Sequence, residues 1–153
     1  MNLKKLLRFA ILASALFLFG VVTSIQQPVL AAAKTKIVVR FSNHDYKAHL
    51  DNNAAANGLK KKLPFKLKFS AFGSGFDEKI GDLPAKLSTK GMPNGNSAQT
   101  GDIGYWSPQP RVVLYDGHVN YYAGIHIIGH FDSKKAVQAL KNSRVHLQLK
   151  LGK

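Results

Sequence analysis

The stretch TGDIGYWSPQPRVVLYDG, residues 100–117, decides how this chain reads. It opens on Gly101-Asp102 and ends on Asp116-Gly117, both turn dipeptides. Between them lie IGYW (103–106) and VVLY (112–115), runs of β-branched and aromatic residues of the kind that fill strands. SPQP (107–110) breaks the pattern, because each proline removes a ladder donor and restricts the residue before it. The stretch reads as strand, exposed loop, strand. It also gathers the single Trp, an Arg and two Tyr into one segment.

Working outward, FKLKFSAF (65–72) alternates apolar and polar residues, so Phe65, Leu67, Phe69 and Ala71 share one face and Lys66, Lys68 and Ser70 the other. KIVVRF (36–41) and residues 46–50 read as two strands joined by a turn. The acidic and amide residues 51–53 supply a helix N-cap, and residues 54–62 suit a helix that Pro64 stops, with Gly58 a weak point in it. Residues 76–89 are ambiguous: Leu83-Pro84 opposes a helix, and 86–89 suits a short strand. Residues 91–101 read as a long loop, and 118–123 as a loop carrying Tyr121 and Tyr122. GIHIIGHF (124–131) is an apolar strand. Ser133 caps a helix over 134–141 with Ala136, Val137 and Leu140 as its apolar stripe, and VHLQLKL (145–151) closes the chain on a strand. About eight short strands and two helices predict a mainly β domain, a closed eight-stranded antiparallel barrel with helices over its ends.

The first 33 residues stand apart. Lys4, Lys5 and Arg8 precede an apolar run of 14 residues (9–22), then a polar segment and Ala31-Ala32-Ala33. That is the order of a secretory signal peptide, and the run is short of the ~20 residues a spanning helix needs. The expectation is an exported domain over 34–153, secreted or associated with the cell envelope; the alternative is an uncleaved N-terminal membrane anchor. Without the leader's three basic residues, 19 of the 22 remain against 8 acidic ones, a net charge of +11. Such a charge favours anionic surroundings, although the basic residues are scattered apart from Lys60-Lys61-Lys62. The chain has no Cys, so its core must hold it without disulfides.

The order of motifs resembles the bacterial cyclophilin-like domain family, distant relatives of the cyclophilin barrel. The matching features are Asn53 with the helix after it, Leu63-Pro64, the strand 65–72, and Glu78-Lys79 followed by Leu83-Pro84. Residues 101–106, the strand 112–115, and 124–131 with Ile128-Gly129 complete the likeness. It implies an eight-stranded barrel capped by two helices. Catalytic cyclophilins carry an Arg in a segment with Phe and Gln that cradles a prolyl peptide; the strand 65–72, which looks equivalent, has neither Arg nor Gln. Catalytic residues are therefore not carried over.

Prolyl isomerisation needs an apolar pocket and a donor that stabilises the twisted amide, not a nucleophile. Arg111 could donate, with Tyr105, Trp106 and Tyr115 as the wall; the plainer alternative makes the aromatics barrel packing and Arg111 a solvated loop residue. No metal site is expected: His126 and His130 are four apart on a strand, ~13 Å, too far to share one ion. Nucleophile-elbow, phosphate-loop and dinucleotide motifs are absent, so no cofactor is expected. Asp77-Glu78 and Asp82 could be paired carboxylates, but beside Lys79 and Lys86 they read as solvated ion pairs of little energy, with Glu78 tethering a loop. The leading expectation is a non-catalytic module that binds an extended or proline-containing peptide, or a small ligand, through Phe72, Glu78, Tyr105, Trp106, Arg111 and Tyr115. The alternatives are a peptidyl-prolyl isomerase for exported proteins, and a basic envelope protein binding anionic polymers. Specific nucleic-acid binding is not expected.

Overall fold

The computed structural model describes residues 33–143 and 146–151. Every described element lies within the compact unit Ala32–Lys153. The expected leader thus lies, but for Ala33, outside the described residues. Among those residues no helix is long and apolar enough to cross a membrane.

The order is β1 (Thr35–Phe41), β2 (His44–Leu50), α1 (Ala54–Lys60), β3 (Phe65–Ala71), β4 (Glu78–Asp82), β5 (Gly95–Ala98) and β6 (Asp102–Trp106). It continues β7 (Arg111–Tyr115), β8 (Val119–Ala123), β9 (Ile125–Phe131), α2 (Lys134–Lys141) and β10 (His146–Leu151). The expectation of a mainly β domain with two helices holds. Eight strands pair in the order β1-β10-β3-β4-β7-β6-β9-β2, and β2 pairs back onto β1. Seven of the expected strands lie in this sheet, and β4 was not among those expected. β5 and β8 form a separate two-stranded sheet, where the sequence reads as loops. The strand expected at 86–89 is absent, and β4 lies just before it.

Local chemistry explains the elements. Ser42 and Asn43 both take positive φ, 49° and 59°, and close the β1–β2 hairpin, as two-residue turns with matching twist do. Asn53 caps α1: its Oδ1 accepts from the Ala56 N–H at 2.9 Å. Its Nδ2 donates to the Ile127 carbonyl at 3.0 Å and ties the helix to β9. Ser133 caps α2 by accepting from the Ala136 N–H at 3.3 Å.

Two cores result. Ile37, Val39, Phe41, Leu50, Phe69, Ile103, Tyr105, Val112, Leu114 and Phe131 fill the inside of the barrel sheet, with Leu59 of α1 and Leu140 of α2 packed into the same cluster. A smaller cluster of Ala98, Val113, Tyr115 and Ile125 lies between the outer side of the barrel sheet and the β5–β8 sheet. Strand alternation assigns residues to one or the other: in β7, Val112 and Leu114 go inward, and Val113 and Tyr115 outward.

Candidate functional site

The outward residues of β4, β7 and β6 floor the candidate site. Glu78 is opposite Tyr115, Ile80 opposite Val113 and Asp82 opposite Arg111; Trp106 is opposite Arg111 on the other side. All of these but Asp82, together with Ile125 from β9, line a cavity of about 780 Å³ whose walls are the 72–78 segment, the 106–111 turn, and His118, Val119, Asn120 and Tyr122 at the start and along β8. Phe72 and Phe76 meet edge to face, with centroids 5.0 Å apart, and are 47% and 55% exposed. Tyr122 is 61% exposed. Exposed aromatic side chains beside an apolar hollow are the general pattern by which a candidate binding surface is recognised.

Tyr115 is the centre of the floor. Its ring crosses β6 at Gly104, where a Cβ would come within 2.7 Å of Cε2; only glycine leaves room. Burial, and then the nearby Glu78 and Asp102 carboxylates, push its phenol well above the usual tyrosine range. The hydroxyl therefore keeps its proton at any ordinary pH.

Glu78 is half-buried at one end of the floor. Burial, and after it the Asp116 carboxylate, raises its pKa above the ordinary glutamate value. Beneath it, Asp116 and Lys79 form a buried ion pair at 3.0 Å. Lys79 therefore does not serve as a solvated partner of Asp77 or Glu78, as its sequence neighbours suggested. At the other end, Arg111 Nε donates to Asp82 Oδ1 at 2.6 Å, so Asp82 too is held by an arginine across the sheet and not by a lysine beside it.

Of the six residues singled out from the sequence, Phe72, Glu78, Trp106, Arg111 and Tyr115 line this cavity. Tyr105 does not. It is 1% exposed inside the barrel, where its hydroxyl accepts the Leu87 N–H at 3.0 Å and its ring stacks at 6.2 Å on His126. Sequence reasoning missed Ile80, Val113 and Ile125. Period two, counted back from Tyr115, yields Val113; Ile80 and Ile125 carried no local signal.

His126 and His130 have different neighbours. His126 Nε2 lies 3.0 Å from Ser107 Oγ, and burial lowers its pKa; His130 Nδ1 lies 2.8 Å from Asp102 Oδ1. Among the described residues no cluster of three or more His, Asp or Glu side chains is gathered as a metal would require.

Fold and site together define a cyclophilin-like β domain with a ligand-sized hollow on the outside of its sheet. The chain belongs to the cyclophilin-like family, whose model matches residues 39–151. Among solved structures it is similar to that of the hypothetical protein AF2241 from Archaeoglobus fulgidus, determined in solution. The two share 15% identity over 82% of this chain and 100% of that one, with a TM-score of 0.50. At that identity the likeness concerns fold alone. No curated protein matches the chain.

Proposed function

We propose that this protein is a non-catalytic binding module that holds an extended peptide, or a small molecule of similar shape, in the outer cavity. The observation that carries the reading is the layout of the floor: apolar Ile80, Val113 and Tyr115 lie between a carboxylate at Glu78 and a guanidinium at Arg111. The two charges are four residues apart along paired strands, ~13 Å, the span of about four extended residues. An amino or amide donor suits the Glu78 end and a carbonyl or carboxylate the Arg111 end. A proline ring suits the apolar middle, which also supports an isomerase as the second reading. Against it, Arg111 Nε is already engaged by Asp82, and β3, which looks like the catalytic strand of cyclophilins, carries lysines. The leader-like residues 1–33 support placing the module outside the cytoplasmic membrane.

Titrating short X-Pro peptides against Trp106 emission tests binding, and NMR exchange of the same peptides tests catalysis. Binding with an unchanged cis/trans rate is expected; uncatalysed exchange takes tens to hundreds of seconds, so acceleration is easily seen and would replace this reading with the second. No change in Trp106 emission with any peptide would remove both.

Glu78→Gln separates a binding role from a loop-tethering one. A carboxyl with its pKa raised on folding keeps its proton more tightly in the folded state. Stability is then fullest below the unfolded value and is lost as pH rises through the folded value. Glu78→Gln is thus expected to melt higher than the parent at neutral pH and at the same temperature in acid, while binding amine-bearing peptides more weakly. Parent affinity should rise with pH as Glu78 ionises, and variant affinity should not. A variant that melts lower at neutral pH would mark Glu78 as a structural tether.

A further inference from the structure

The part of the barrel formed by β3, β10, β1 and β2 carries a different surface. Its inward positions are apolar: Ile37, Val39 and Phe41 on β1, Ala48 and Leu50 on β2, Leu67 and Phe69 on β3. Alternation therefore turns Lys36, Arg40, Lys47, Lys66 and Lys68 outward, and all five are exposed. β10 lies between β1 and β3, and position 148 is opposite Arg40 on one side and Lys66 on the other. Arg40 and Lys66 thus stand level, two strand spacings or about 10 Å apart. Lys68 is one two-residue repeat further along β3. Lys47, opposite Val38, is one repeat from Arg40 in the other direction, and Lys36 is one more, each repeat about 7 Å. The five cations make an oblique band across the strands. Asp45, 3.3 Å from Arg40, is an acid on it, and Asp132, 2.8 Å from the His49 ring opposite Lys36, flanks it. At the α1 end, Lys60 Nζ donates to Thr35 Oγ1 at 3.4 Å, which brings the Lys60-Lys61-Lys62 run to the start of β1.

We propose that this band is a second binding surface, for a flexible linear polyanion bearing phosphate or similar groups. Charge complementarity selects an anion, and the band's other features select the kind. Four of the five cations are lysines, point charges that follow varied anion geometry without the bidentate match arginine provides. The large exposed apolar side chains among the described residues, Phe72, Phe76, Tyr121 and Tyr122, are on the 72–76 segment and β8, and none is on the band. The described side chains of the band thus include no large apolar anchor to insert into a bilayer and no aromatic platform on which bases stack. A chain that spans cations 7–10 Å apart must be long and pliant. The inference stands independently of the cavity.

The test is a titration of the purified protein with long-chain inorganic polyphosphate across a range of salt concentrations. Parent binding is expected to weaken with salt at a log–log slope of roughly −3 to −4, as five contacts on a flexible chain predict. The combined variant Lys36→Gln, Lys47→Gln, Lys66→Gln, Lys68→Gln is expected to lose about tenfold or more in affinity at low salt and most of that slope. A control of equal charge change, Lys86→Gln, Lys90→Gln, Lys134→Gln, Lys135→Gln, is expected to bind as the parent does. Equal losses in both sets would show that net charge, not this face, does the binding and would overturn the proposal. So would absence of parent binding, or tighter binding to phosphatidylglycerol vesicles or an oligonucleotide than to polyphosphate.

Discussion

Lys79→Met is expected to cost about 3–5 kcal/mol of folding stability, because it leaves the Asp116 carboxylate buried without its cation. Asp116 is 3% exposed, its Oδ2 takes the Lys79 ammonium at 3.0 Å, and its Oδ1 has no protein partner. The loss should appear as a lower midpoint in chemical denaturation. The double variant Lys79→Met/Asp116→Leu should recover most of it, since replacing a buried pair by apolar residues is often neutral or stabilising. The consequence reaches the cavity: Asp116 already helps raise the Glu78 pKa, and a carboxylate without its lysine would raise it further. Peptide binding by Lys79→Met should therefore need a higher pH than binding by the parent. A loss under about 1 kcal/mol would mean that water reaches Asp116 when the lysine goes, and the pair would then be a solvated one of little energy.

What the sequence made legible, and what it hid, divides along one physical line. Strands with a strict period of two, such as FKLKFSA in β3, announce themselves because one face is buried and the other wet. β4 does not. EKIGD carries three charges in five residues, and its buried lysine is accommodated only because Asp116, 37 residues later, meets it. β5, GNSA, has little strand propensity; it is a strand because it pairs with β8 and packs Ala98 into the smaller core. The site shows the same limit. Tyr105 and Trp106 look alike in composition, and grouping them by residue type put both in the groove. Adjacent residues on a strand face opposite ways, so one fills the barrel and the other lines the cavity. Arg111 was visible as a candidate, but its Asp82 tether depends on β4 pairing with β7.

Gly129→Val is expected to be the other severe substitution, costing about 3 kcal/mol or more, at the upper end of overpacking effects. The Ile128-Gly129 pair, which carries part of the family likeness, has a physical reason. Between Ile103↔Gly129 and Gly104↔Ile127 the β6–β9 register shifts, so Ile128 is an extra residue, fully buried in the core, whose carbonyl accepts the Asp51 N–H at 2.9 Å. That irregularity presses β9 onto β2: a Cβ on Gly129 would stand 2.2 Å from the His49 carbonyl oxygen and 3.2 Å from Leu50 Cα. Both obstacles are backbone, so no rotamer change relieves the clash, and β2 must separate from β9. Since β2 is the strand that joins β9 to β1, the damage should begin at that seam. Hydrogen exchange is expected to speed up first at the β2 and β9 amides that pair there, with the melting temperature lower by roughly 4 °C or more per kcal/mol lost. Cavity binding by the folded fraction should survive, because Trp106 pairs with Ile125 at the other end of β9. A variant melting within a few degrees of the parent would mean that β2 and β9 can part without loss, and the sheet would then be held round by its other pairings.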